Sequence, residues 1–218
     1  MPGGCSWLVY PLSIKGKNDL IRSKAPVFGA SPVAAAGRLL FIVAGPSTAA
    51  KAISPFLKDV MGRSAISLGE EAPKATLLKT TGNFLTAGLM ELFSEAHVLA
   101  EVSGLGSAAL ESLIEENYGE LAFNMSKRLT SGAYLPKQGG KPWSDLGLAI
   151  KDVGHGISVA ESRGMRLKVA EVAMEHLEEA REWGEERGRY LDSSSLYGVI
   201  RQDAGLEFES DVVKKRDA

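Results

Sequence analysis

From Pro73 onward the apolar residues of this chain follow one period, and it is helical. Leu78, Leu85, Leu89, Leu92, Ala96 and Leu99 recur at three-, four- and seven-residue intervals, which lays them as one stripe along a helix of about 28 residues. Such a segment cannot alternate its faces as a strand does, so any sheet must be built from what lies upstream. There the run Arg38 to Ala44 (RLLFIVA) is continuously apolar and is closed by Gly45-Pro46, the pattern of a strand buried on both faces. Ser47 is placed to cap a helix carrying Ala50, Ile53, Phe56, Leu57 and Val60, Gly62 ends it, and Ala65 to Leu68 reads as a second strand. Strand, helix and strand make one α/β crossover unit, short of a complete sheet.

Downstream, Gly104 stops the long helix and Ser107 caps a second through Leu110, Leu113 and Ile114. A loop rich in Gly, Pro and Lys spans Gly132 to Pro142. Ser144 caps a third helix ending at Gly164, a fourth runs from about Leu167 to Trp183, and Asp192 caps a short fifth. Residues 1–24 show no sustained period and read as an extended or disordered lead-in with one short strand around Trp7 to Tyr10. The resulting division is a lead-in at 1–24, an α/β piece at 25–72, a helical domain at 73–205 and a tail at 206–218.

Composition limits the function classes. The chain has 218 residues, 44% hydrophobic, and a net charge of -2, with no basic face that would suit nucleic acid. The Lys214-Lys215-Arg216 cluster reads as a solvated, frayed terminus. Cys5 is the single cysteine, so no internal disulfide forms, which suits a reducing, cytoplasmic setting. No apolar run approaches the roughly 20 residues of a membrane span.

Two pairs could carry chemistry. Lys79 and Asn83 stand one helical turn apart, on a face shared with Thr76, Thr80, Ala87 and Met90. A lysine lining a closed cleft is suited to proton transfer, and Asn83 offers a donor and an acceptor to a bound ligand. Lys151-Asp152 lies midway along the third helix, where neighbouring side chains diverge by about 100° and need not pair. His97, His155 and His176 are too far apart in sequence to suggest a metal site. Gly154-His155-Gly156 marks close helix packing, and Ser193-Ser194-Ser195 reads as capping residues beside Asp192. Gly104-Leu105-Gly106-Ser107-Ala108-Ala109 spells a dinucleotide fingerprint, yet a helix precedes it where a strand is required.

In order, these motifs resemble the β-hydroxyacid dehydrogenase family, the 3-hydroxyisobutyrate dehydrogenase-like branch of the 6-phosphogluconate dehydrogenase superfamily. Ala25-Pro26-Val27-Phe28-Gly29-Ala30 resembles its substrate loop. Ala36-Gly37-Arg38-Leu39 and Val43-Ala44-Gly45 resemble the strand that follows. Lys79-Thr80-Thr81-Gly82-Asn83 is similar to its catalytic Lys-x-x-x-Asn, and Glu95-Ala96, Gly104-Leu105 and Lys151-Asp152 match later positions. The resemblance covers roughly residues 25 to 203.

It implies the C-terminal portion of a dinucleotide-binding (Rossmann) domain followed by an all-helical domain like the C-terminal domain of 6-phosphogluconate dehydrogenase. The implied activity is hydride transfer between NAD or NADP and a hydroxyacid or aldehyde-acid. Lys79 would then be the acid/base, Phe28, Gly29, Ala30 and Asn83 would bind substrate, and Lys151 and Asp152 would line the cofactor cleft, with no metal. The implied partners are a small-molecule substrate and a second copy of the chain. A non-catalytic helical module that pairs with full-length relatives is the alternative. Two departures stand out: Phe28 occupies the place of a substrate-contacting serine, and only 24 residues precede the Ala-Pro-Val loop. The second predicts very weak dinucleotide binding by this chain alone.

Overall fold

The computed structural model describes residues 12–15 and 20–218, so the strand expected around Trp7 to Tyr10 lies outside the described residues. The chain divides into two compact units, Met1–Gly82 and Asn83–Ala218. Within the expected lead-in, β1 (Leu12–Lys15) and β2 (Leu20–Ser23) pair antiparallel.

The first unit is organised by β4 (Leu39–Val43), the strand foreseen in the apolar run. It is central in a three-stranded sheet, antiparallel to β3 (Val27–Phe28) and parallel to β5 (Gly62–Ser67). A parallel neighbour needs a crossover, and α2 (Ser47–Leu57) supplies it. Alternation of side chains along β4 splits the run between two faces. Phe41 and Val43 pack with Ile53 and Leu57 of α2, while Ile42 and Ala44 pack with Ala75, Leu68, Leu78 and Phe28. The strand is therefore covered on both sides, as its sequence demands. The one-turn helix α1 (Ser31–Ala35) follows Gly29. At Gly29 φ is 136°, and a Cβ there would come within 2.7 Å of Leu39 and 2.8 Å of Val33, so the turn out of β3 requires glycine.

Helix α3 (Ala72–Val102) begins in the first unit and continues into the second. The second unit is completed by α4 (Ser107–Thr130), α5 (Leu146–Glu161), α6 (Lys168–Glu186), α7 (Leu196–Asp203) and α8 (Asp211–Asp217). Helix α4 is broken at Gly119, where φ is 77° and ψ -176°. Residues 103–106 are a turn between two helices, as the dismissed fingerprint required. Gly156 lets α5 approach Phe84, and Gly154 faces Met174 of α6, so both glycines serve helix packing.

The helical core is continuous, with Leu129, Tyr134, Leu135, Val153, Leu177 and Leu196 among its buried members. Tyr134 donates its hydroxyl proton to the Phe208 carbonyl and accepts from the Ser210 amide, both at 2.8 Å, which satisfies a fully buried phenol. Phe208 stacks on Trp183 at 3.8 Å between ring centroids.

Several local expectations are corrected. On α3 the core-facing residues are Met90, Phe93, His97 and Val98, whereas Leu85, Leu92 and Leu99 of the predicted stripe are 58%, 57% and 65% exposed. The helix is apolar on two faces, and the regular period belongs to the outer one. Asp145, rather than Ser144, caps α5 by accepting from the Leu148 amide at 3.2 Å. Ser47 and Ser107 lie inside their helices behind Pro46 and Gly106. Asp192 precedes α7 by four residues and serves another purpose, described below. The C-terminal residues expected to fray instead form α8, with Val213 buried and Arg216 donating to the Gly132 and Leu135 carbonyls at 3.0 and 2.8 Å. Among the described residues, no helix is long and apolar enough to cross a membrane.

Candidate active site

Each unit carries its own share of the predicted site residues. In the first, β3 delivers Phe28 toward the stretch of α3 that bears Lys79. The Lys79 Nζ lies 4.1 Å from the centre of the Phe28 ring, in range for attraction between an ammonium and the negative face of an aromatic ring. The ring rests against the helix backbone at Gly82, where a Cβ would lie 2.2 Å from its Cζ. Gly29 and Ala30 form the turn immediately beyond, between β3 and α1.

In the second unit, Asn83 donates through Nδ2 to Oδ2 of Asp152 at 2.8 Å. Lys151 Nζ stands 2.6 Å from Oδ1 of the same carboxylate. Adjacent helical residues thus do pair, because the flexible lysine stem bends back to a carboxylate that is 30% exposed. The carboxylate can only accept, so the Asn83 amide nitrogen must face it and the carbonyl oxygen points away. Asn83 and Asp152 line a cavity of about 100 Å³ together with Met90, Ala87, Arg128 and Ser193.

Arg128 and Ser193 were not legible as site residues. Arg128 donates from Nη2 to both oxygens of Asp192, at 2.6 and 2.7 Å, and to Ser193 Oγ at 3.2 Å. Asp192 is fully buried and also accepts from the Ser144 amide at 3.0 Å, the Ser194 amide at 3.0 Å and the Ser194 hydroxyl at 2.6 Å. It therefore ties α4 to the entrances of α5 and α7. The only available signal was its place ahead of three serines, which suggested a cap.

Two of the histidines, His97 and His176, are engaged inside the helical unit. His97 is buried, with Nε2 2.6 Å from Ser126 Oγ, and burial lowers its pKa. His176 Nδ1 meets the buried Glu91 carboxylate at 2.7 Å, and that bond raises its pKa. Among the described residues, no group of three potential ligands could hold a metal ion.

A dinucleotide requires glycine-lined amides at a helix N-terminus after a parallel strand. One strand-to-helix turn of this sheet, the one after the central strand, is Gly45-Pro46 leading into α2, where Pro46 has no N–H and the Ser47 amide donates to Glu70 at 3.3 Å.

No family model matches the chain. It is 28% identical over 186 residues to an NADH-dependent oxidoreductase of Aspergillus ustus, covering 85% of this chain and 60% of that protein. It is 28% identical over 161 residues to glyoxylate/succinic semialdehyde reductase 2 of Arabidopsis thaliana, covering 74% and 43%. The solved structure of 3-hydroxyisobutyrate dehydrogenase from Salmonella typhimurium superposes with a TM-score of 0.69 at 20% identity, covering 82% of this chain and 60% of that one. The chain matches the C-terminal part of the β-hydroxyacid dehydrogenases. Its three-stranded sheet and helices correspond to a partial Rossmann domain and the helical domain that follows. The chain spans 60% or less of the length of these three proteins.

Proposed function

We propose that this chain forms the substrate-side part of an NAD(P)-dependent oxidoreductase of the β-hydroxyacid dehydrogenase type, acting on a hydroxyacid or aldehyde-acid such as glyoxylate or succinic semialdehyde. The observation that carries the reading is the meeting of Asn83 with the Lys151–Asp152 pair. These come from separate motifs 69 residues apart, and both match family positions in order.

In this reading Lys79 exchanges a proton with the substrate oxygen. Asn83, held through its amide nitrogen by Asp152, turns its carbonyl oxygen to the substrate, and Lys151 balances the Asp152 charge. Gly29 and Ala30 offer backbone groups to the substrate, and Lys151 and Asp152 border the nicotinamide side. The dinucleotide would supply the hydride chemistry when bound. The test is steady-state kinetics on a form carrying the dinucleotide-binding half. Lys79→Met lowers turnover by about 10²- to 10⁴-fold with cofactor affinity unchanged. Wild-type turnover in that variant overturns the assignment.

A different observation favours self-association. Leu85, Leu89, Leu92 and Leu99 are exposed along one helix, an apolar surface that a second copy of the chain, or a full-length relative, would cover. Sedimentation is expected to show a dimer that Leu92→Asp dissociates. A stable monomer at tens of micromolar overturns this part of the reading.

A further inference from the structure

We propose that Phe28 is the positioning residue for the Lys79 ammonium, with Gly82 as the helix position that admits its ring. The inference rests on the reading of Lys79 as the proton-exchanging group and adds what holds that group in place.

The position of the ring is set from the sheet side. Phe28 is paired in register with Leu40 of β4, and its side chain packs in the cluster formed by Ile42, Ala44 and Ala75 with Leu68 and Leu78. On the helix side it is set by the missing side chain at Gly82. Any Cβ there would fall 2.2 Å from Cζ and 2.8 Å from Cε1 of the ring, distances at which one of the two must move. Gly82 follows Lys79 by three residues, so both lie on the face of α3 that the ring meets. A lysine head on a four-carbon stem samples many rotamers. A ring face 4.1 Å from Nζ favours those that keep the cation over it. Phe28 brings no hydrogen-bonding group of its own, so what it contributes is placement. Proton transfer depends on that placement, because a displacement of about 1 Å can lower a rate by about 10²-fold.

The test reads the contact directly and needs no cofactor. Lysines of the chain are reductively methylated with ¹³C-formaldehyde, which keeps their charge, and the Lys79 signal is assigned by its absence in Lys79→Arg. The expected result is a Lys79 methyl resonance displaced upfield by the ring current and returned toward the other lysines in Phe28→Leu. Gly82→Ala, which leaves both groups chemically intact and pushes the ring aside, moves the same signal in the same direction. A Lys79 resonance that neither variant changes overturns the proposal. In a form carrying the dinucleotide-binding half, Phe28→Leu lowers kcat by between about 10- and 100-fold while leaving the melting temperature within a few degrees. A normal kcat in Phe28→Leu beside an inactive Lys79→Met also overturns it. Full activity in Lys79→Met removes the functional reading instead, while the ring contact still stands on its spectrum.

Discussion

Replacing Asp192 by alanine removes a carboxylate that is fully buried and accepts from Arg128, the Ser144 amide and both the amide and the hydroxyl of Ser194. The Arg128 side chain is only 12% exposed, so its charge cannot retreat fully into water once the partner is gone. Breaking a buried pair by removing one member costs about 3–5 kcal/mol. The orphaned Ser144 and Ser194 amides hold the figure toward the upper end. With a urea dependence of about 2 kcal/mol per molar, the unfolding midpoint falls on the order of 2 M. Arg128→Met is also destabilising, since it strips the charged partner from the carboxylate. The double variant is less stable than wild type by clearly less than the sum of the two, with a coupling of about 1–3 kcal/mol. Urea titrations followed by circular dichroism give all four values. Losses in the single variants that add to within about 0.5 kcal/mol in the double would show that the two residues do not act as a unit, and the reasoning would fall.

His176 gives a pH dependence of known sign. The Glu91 hydrogen bond raises its folded-state pKa above 6.5, opposed by burial and helped by the Glu91, Asp203 and Glu179 charges. The stability it contributes is therefore fully present below about pH 6.5 and is lost as pH rises through the folded value. Thermal melts of wild type and His176→Gln are expected to differ most at low pH and to converge above it; a constant gap refutes this. Gly198→Ala reverses the usual helix preference for alanine. Its Cβ would lie 2.5 Å from the Phe208 ring, which is stacked on Trp183, so a loss of about 1–3 kcal/mol from overpacking exceeds the gain of about 1 kcal/mol in propensity. A raised melting temperature in this variant would contradict the packing described here.

What could be read from the sequence is what periodicity and short range control. The run 39–43 had to be a doubly covered strand because every residue in it is apolar, and α3 was visible because its apolar residues hold one period from Leu78 to Leu99. Periodicity does not say which apolar face meets the core. Leu85, Leu92 and Leu99 make the more regular stripe, yet the core takes the face containing Ser94 and His97, whose polar side chains conceal it. Lys79, Asn83 and Lys151-Asp152 were visible as an ordered series, but the bond between Asn83 and Asp152 spans 69 residues and no local rule predicts it. Asp192 was misjudged for the same reason. Its donors Ser144 and Arg128 are 48 and 64 residues away, whereas a capping role needs only its near neighbours. The tail looked solvated because its basic residues were counted as charges rather than as donors to distant carbonyls.

The clasp of Arg216 on the carbonyls of Gly132 and Leu135 also fixes an order of events during synthesis. The acceptors are made more than eighty residues before their donor. While the ribosome adds α5, α6 and α7, the Gly132 carbonyl has its near neighbour, the Leu135 amide at 3.2 Å, but neither carbonyl yet has Arg216, and Val213 is not yet in place. The helical unit thus reaches its final packing only when α8 has emerged, however early its first helices form.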